Sequence, residues 1–420
     1  MNRFLAIVLI AIVAPAVTAQ DFFLKKGDVV VMMGDSITEQ RLYSNYVEIW
    51  SQTRFPSHNL VFRNVGIGGD RSTGGNGRFK RDVLTHKPTV LTVDFGMNDG
   101  NYNLKAFDEK SFATYIKGLQ GIADQANAAK IRVAWITPQP VEHNPGDAKE
   151  AYNITLEKFS AGVGDIAKKN EGLFVDQFHP YWAVVDKARK AGEKGRITGG
   201  DAVHPGPAGQ AMMAAAIMKG MNFPRTVSSV TVDAAGGSGK PDTKNCTIDS
   251  FNTEGGIIAF QRKDAALPFF PDAAKSILKH TPLLEEMNDY GLKVTGLKAG
   301  KYDVKLGGKT VASYSDAELA KGVNLAGPAL KVGPVADQVN AIAKAITDKT
   351  NYYYGQIYGP LVLQRNIAKN PDFKDVAKED LAKRRDALIA ERMKKMPELD
   401  AAIHKTLEPR PHLVEIVAAK

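Results

Sequence analysis

Acyl transfer through a serine needs three groups: a hydroxyl, an imidazole to take its proton, and a carboxylate to hold that imidazole. Two D-x-x-H pairs supply the last two in this chain, Asp201 with His204 in "GGDAVHPGPAGQ" and Asp176 with His179 in "DQFHP". In either pair one short turn brings the carboxylate to the ring, where it fixes the tautomer and stabilises the protonated form. The second pair ends the strand-like "GLFVDQF", a place where Asp commonly caps a strand. The first directly precedes a helix that can close a sheet, and it is the preferred pair. For the hydroxyl, Ser36 in "VVVMMGDSITEQ" stands right after an apolar run and right before a helix start. The amides and dipole of a helix N-terminus favour developing negative charge there, but Ser also suits a plain N-cap, and this stretch alone leaves both roles open.

Two further patches carry polar chemistry. The glycines of "NVGIGGDRSTGG", Asn64 to Gly75, let a backbone turn sharply and present N–H groups to a phosphate or an oxyanion, or simply make a tight turn. The G-x-G-x-x-G spacing of a dinucleotide site is missing from the first strand-to-helix turn. In "DFGMNDG", Asn98 can donate to a tetrahedral oxyanion, an interaction whose loss typically costs about 3–4 kcal/mol; the alternative for Asn98–Asp99 is an Asx turn. His86 reads as a surface or capping residue, while His58, His143, His280, His404 and His412 lack an acidic partner in a comparable loop.

These patches need a frame, and the pattern from Asp28 to about Phe223 supplies one. The strand-like runs "DVVVMM", "LVFRNVG", "TVLTVDFG", "IRVAWIT" and "GLFVDQF" alternate with helical segments such as "SNYVEIWSQTRF", "SFATYIKGLQGIADQANAA" and "AYNITLEKFSAGVGDIAKKN". Such alternation predicts parallel strands with crossover helices on both faces, and functional residues at the carboxyl ends of the strands. From about Val227 to Ala326 the composition turns to short Gly-, Thr-, Val- and Asp-rich runs, with a "KAG" turn and an "LGGK" hairpin turn, predicting a smaller β unit. Helical patterns return from Val335, clearest in "VADQVNAIAKAITDK" and "KEDLAKRRDALIAERMKKM". The chain therefore divides into residues 1–19, a catalytic layer 20–225, a β-rich accessory region 226–330 and a helical region 331–420. No internal repeat suggests a solenoid.

With 420 residues, 44% apolar and 24% charged, the composition is that of a globular protein large enough for two domains. The net charge of +9 is spread out, and its densest group, Lys374 to Lys395, is interleaved with Asp and Glu as on a solvated helix face. With no zinc-finger spacing and no basic stripe, nucleic acid is not an expected partner. Met1–Arg3, the apolar run Phe4–Val13, Pro15 and small residues at Val17 and Ala19 read as a signal peptide cut before Gln20. That run is short for a bilayer, so no stable membrane span is expected after cleavage; the alternative is an uncleaved N-terminal anchor. Cys246 is the only cysteine, so no intramolecular disulfide forms; with the signal peptide the expected location is periplasmic or secreted, and a fold without disulfides suits the periplasm better.

Taken in order, "GDSIT", "NVGIGG", "GMND" and "DAVHP" resemble the sequence blocks of the SGNH (GDSL-type) hydrolase family, over roughly Asp28 to Phe223. The resemblance implies a flavodoxin-like three-layer α/β/α sandwich with a parallel sheet, to which the β-rich appendage and C-terminal helices are added. It implies Ser36 as nucleophile, His204 as general base and Asp201 as its orienting carboxylate. The oxyanion hole would be formed by the amides of Ser36 and Gly69 and the side chain of Asn98. Gly68 stands where the family often has a small serine, which leaves the backbone amide available. No cofactor or metal is implied; a metal-dependent phosphoesterase would need several convergent His and Asp ligands, and the first two blocks hold no histidine. The expected activity is hydrolysis of acetyl or other short acyl esters, with an acylated carbohydrate as the favoured substrate. The alternatives are a periplasmic lipase, lysophospholipase or thioesterase, an acyl transferase using the same residues, and a binding protein of the same fold without activity. In the accessory and C-terminal regions, Tyr302, Tyr314 and Tyr352–Tyr354 are either stacking platforms for glycan or packing residues.

Overall fold

The computed structural model describes residues 21–103, 107–235, 240–253 and 256–419. The segment read as a signal peptide, with its cut before Gln20, lies outside the described residues. The apolar runs become five parallel strands, β1 (Val29–Gly34), β2 (Val61–Asn64), β3 (Val90–Asp94), β4 (Arg132–Ile136) and β5 (Leu173–Val175), in the order β2-β1-β3-β4-β5. Between them run α1 (Ser36–Glu39), α2 (Leu42–Arg54), α3 (Ser72–Asp82), α4 (Glu109–Ala128), α5 (Tyr152–Lys169), α6 (Phe178–Lys190) and α7 (Pro207–Gly220). β1 is apolar at every inner position because both of its faces are covered. Val30 and Met32 join the core that holds Val47 and Trp50 of α2 and Met213 of α7, while Val31 and Met33 join the core of Phe79, Leu119 and Phe159 from α3, α4 and α5. This is the flavodoxin-like three-layer sandwich, and its winding reverses where the chain leaves β1, the place where such sheets build their sites.

Within the sandwich, two elements depart from the sequence reading. The glycine-rich stretch to Gly75 is already helical from Ser72, because the glycines let α3 pack tightly: a Cβ at Gly75 would lie 2.7 Å from the ring of Phe95. Close packing here overrides the poor helix propensity of glycine. The helix expected to run on from Ser36 is instead broken at Arg41, whose φ of 62° separates the single turn α1 from α2.

The accessory region contributes β6 (Thr226–Asp233), β7 (Asp242–Lys244), β8 (Cys246–Asn252), β9 (Ile258–Asp264), β10 (Asp289–Thr295), β11 (Lys301–Leu306), β12 (Lys309–Ser315) and β13 (Val323–Asn324). Three short helices, α8 (Leu283–Met287), α9 (Asp316–Lys321) and α10 (Ala326–Ala329), lie among them. The "LGGK" turn joins β11 to β12 with positive φ at Gly307 and Gly308, as a two-residue hairpin loop requires. Beyond it come α11 (Pro334–Tyr352), a π-helical segment Tyr353–Val362, α12 (Leu381–Met393) and α13 (Met396–Thr406). The region read as helical to its end closes instead with a strand, β14 (His412–Ala418), whose residues alternate between buried and less buried. β14 sits in the middle of a sheet ordered β12-β11-β14-β9-β8; the other accessory sheet is β13-β10-β6-β7.

The C-terminal helices lie back on the sandwich. Lys349 of α11 and Glu48 of α2 form an ion pair at 2.5 Å with both side chains 3% exposed, and Asp400 of α13 takes two hydrogen bonds from Arg63 of β2. Tyr302 and Tyr353 are buried and serve as packing residues, and Tyr354 is hydrogen-bonded to Glu39. Among the described residues no helix is long and apolar enough to cross a membrane.

Candidate active site

The carboxyl ends of β1, β2 and β3 and the loop before α7 converge on Ser36. Asp35, not Ser36, is the N-cap of α1: its Oδ1 accepts the Ile37 amide at 2.9 Å, which leaves the Ser36 hydroxyl unclaimed by the backbone. That hydroxyl lies 2.9 Å from Nε2 of His204, across 168 positions of sequence. Nδ1 of His204 lies 3.0 Å from Oδ2 of Asp201. Oδ1 of Asp201 accepts the amides of Val203 and His204 at 2.8 and 2.7 Å, so the carboxylate is locked on its own turn. Partial burial works against its charge, but those amides and the imidazole outweigh burial and hold the carboxyl below the usual range. Gly200 makes the turn possible, because its φ is +64° and a Cβ there would come within 2.6 Å of the Gly206 nitrogen.

The rival pair, Asp176 and His179, is also hydrogen-bonded, at 2.8 Å, but the imidazole is 57% exposed and its other nitrogen faces Glu157 at 3.5 Å rather than a hydroxyl. It follows β5 at the sheet edge. His86 bonds the Tyr353 hydroxyl at 2.8 Å, and desolvation, helped by Arg63, pushes its pKa down to about 4.

Opposite His204, the loop after β2 brings Gly68 and Gly69 to the serine: a Cβ at Gly68 would lie 3.8 Å from that of Ser36. Gly69 has φ +75°. Among the described residues neither the Ser36 nor the Gly69 amide has a hydrogen-bond partner. Asn98, after β3, directs its amide group to the Asp70 carbonyl at 3.0 Å and, more loosely, to Oδ2 of Asp35 at 3.3 Å; its own oxygen accepts from Tyr102 at 3.2 Å. The five residues singled out from the sequence are thus gathered at one end of the sheet.

Several groups around them carry no local sequence signal. Burial, with Asp99 and Asp70 adding to it, pushes the Asp35 pKa up to about 7, and burial raises that of Asp99 to about 6. Arg78 is the cation beneath the site. It donates to the carbonyls of Gly34 at 3.1 Å and Val65 at 2.7 Å and pairs with Asp70 at 2.7 Å and Asp82 at 3.0 Å, tying the ends of β1 and β2 to the glycine loop. Glu39 accepts the Gly68 amide and is gripped by Tyr354 and Arg365 from the far end of the chain. Nothing local in the sequence points to either, since partners of Arg78 and Glu39 lie on distant segments. Among the described residues no group of three or more His, Cys, Asp or Glu side chains is placed to hold a metal ion.

The fold is α/β, and at the carboxyl ends of its strands a hydroxyl, an imidazole and a carboxylate lie within hydrogen-bonding reach of one another. Residues 32–212 match the GDSL-like lipase/acylhydrolase family, and this match and an esterase relative together support a carboxylic ester hydrolase. An acetylxylan esterase of Geobacillus stearothermophilus is 24% identical over 216 residues, covering 47% of this chain and 95% of that relative. A solved structure of the acetylxylan esterase has 23% identity, a TM-score of 0.41 and coverage of 48% of this chain and 97% of that one. A gut microbial diltiazem-metabolizing enzyme of known structure is similar along almost the whole length: 25% identity, TM-score 0.78, 94% of this chain and 98% of that one.

Proposed function

We propose that this protein is an exported serine esterase that removes acetyl or other short acyl groups, with acylated carbohydrate as its substrate. The observation that carries the mechanism is the Ser36–His204–Asp201 chain of hydrogen bonds at 2.9 and 3.0 Å. Ser36 attacks the ester carbonyl as Nε2 of His204 takes the hydroxyl proton, and Asp201 holds the ring with Nδ1–H toward its carboxylate. The oxyanion is received by the amides of Ser36 and Gly69, with Asn98 turning the weaker of its two hydrogen bonds from Asp35 to the new charge. His204 then passes its proton to the leaving alcohol. Water, deprotonated by the same imidazole, attacks the acyl-enzyme and releases the acid, restoring Ser36.

The acetylxylan esterase relative supports acetyl groups and a sugar alcohol. The whole-length likeness to a diltiazem-metabolizing enzyme favours a second reading, in which small esters other than sugars are also accepted. Export rests on the charged, apolar and small-residue pattern of residues 1–19.

Hydrolysis of p-nitrophenyl acetate by wild type and Ser36→Ala tests the mechanism. The variant is expected to lose about 10⁴-fold or more in kcat, leaving only binding and oxyanion stabilisation. Retained turnover would remove Ser36 from the reaction. Acetate release from acetylated xylan and pectin, set against lysophospholipid and diltiazem, tests the substrate; preference for lysophospholipid would overturn the carbohydrate reading.

A further inference from the structure

We propose that Arg365 and Tyr354, from the C-terminal segment, are positioning residues for the oxyanion loop, acting through Glu39 on the amide of Gly68 and hence on Gly69. The inference rests on the oxyanion role proposed above for Gly69. Glu39 ends α1, three residues after the nucleophile. Its Oε2 accepts the Gly68 N–H and a bond from Nη2 of Arg365 at 3.0 Å, while its Oε1 takes the Tyr354 hydroxyl and Nη1 of Arg365. Nη1 of Arg365 also donates to the Tyr354 hydroxyl at 2.7 Å, and Arg41 lies over the Tyr354 ring at 4.1 Å. One carboxylate is therefore shared between the glycine loop and a planar fork that holds it from the other side, the bidentate geometry in which Arg surpasses Lys.

The geometry ties this clamp to the reacting atoms. A Cβ at Gly68 would meet Oε2 of Glu39 at 3.0 Å, Cβ of Ser36 at 3.8 Å and Nη2 of Arg365 at 4.0 Å, so clamp, loop and nucleophile share one small volume. The loop is otherwise anchored by the Ile67 amide on the Gly34 carbonyl at 3.1 Å and closed by the Asp70 amide on the Ile67 carbonyl at 3.2 Å. Gly68 and Gly69 lie between those two points, with no side chain to hold them. Burial alone would raise the Glu39 pKa, but Arg365, Tyr354 and the Gly68 amide outweigh it and keep the carboxylate charged.

Arg365 is 44% exposed, and an ion pair so open to solvent contributes little to folding. A purely structural role would therefore leave turnover almost untouched when it is removed, whereas a loop-positioning role would not. In the full chain, Arg365→Ala is expected to lower kcat for p-nitrophenyl acetate by about 10- to 100-fold, less than the 10²–10³-fold typical for loss of a whole oxyanion donor. KM and the thermal midpoint should stay near wild type, and Arg365→Lys should recover part of the loss. Glu39→Gln should lower kcat similarly, and adding Arg365→Ala to it should cost little more, because both changes release the same loop. A wild-type kcat in Arg365→Ala, a change confined to KM, or additive losses in the double variant would each overturn the clamp. Ser36→Ala separates the two readings: if it is inactive while Arg365→Ala is fully active, only the clamp fails; if it is active, the proposed nucleophile fails first.

Discussion

Asp35 holds the Ser36 turn with one oxygen and accepts the Asn98 amide with the other, and burial pushes its carboxyl up to about 7 from the ordinary 3.8. A group whose folded pKa lies above its unfolded value binds more protons folded than unfolded. Stability is therefore lost as pH rises from about 4 to about 7, and the penalty is complete above that window. His86 works in the opposite sense: its folded pKa near 4 lies below 6.5, so its share of stability is lost as pH falls from 6.5 toward 4. Asp35→Asn removes the ionisation but keeps an oxygen for the Ile37 amide. Relative to wild type it should gain about 1–3 kcal/mol of unfolding free energy between pH 4 and pH 8, read from urea unfolding at the two pH values. An equal offset at both would show that Asp35 does not titrate in that window.

At the level of elements, the site depends on strand ends being held in register, and Arg78 of α3 does this from below. It bonds the last carbonyl of β1 and the first carbonyl after β2, and it pairs with Asp70 and Asp82 while itself nearly buried. Arg78→Ala would leave buried acceptors unmet and should cost about 3–5 kcal/mol in unfolding free energy, and Arg78→Lys should not recover it, because one ammonium cannot span the same acceptors. Guanidinium-chloride unfolding measures both variants; a loss of only about 0.5 kcal/mol, as for a surface substitution, would contradict this role. The elements also show what a linear reading can reach. The five strands and the Asp201–His204 turn were legible because their signals are local: continuous apolar runs for strands covered on both faces, and a glycine-bounded D-x-x-H turn before an alanine-rich helix. The start of α3 was not, since Gly75 is helical only because Phe95 packs against it. Nor was the grip on Glu39, whose partner Arg365 lies 326 positions away.

For the whole molecule, stretches far apart along the chain share sheets and packing. β14, the last strand, is the middle member of its sheet, paired with β9 on one side and β11 on the other. α2 is walled in from both directions: Trp50 donates to the Phe269 carbonyl at 2.8 Å, and Glu48 meets Lys349 with neither exposed to solvent. A chain ending after Gly333 would leave β9 and β11 with open edges and Glu48 and Arg63 without their partners, and one ending after Arg225 would also bare Trp50. Both are expected to be insoluble or to lack cooperative unfolding, because open strand edges and uncovered apolar surface favour aggregation. Soluble yield, far-UV circular dichroism and p-nitrophenyl acetate turnover of the two truncations measure this. A soluble fragment ending after Arg225 with wild-type kcat would mean that the sandwich stands alone. It would also mean that Arg365 is dispensable for placing the Gly68–Gly69 loop, so the architectural and the local arguments meet in the same fragment.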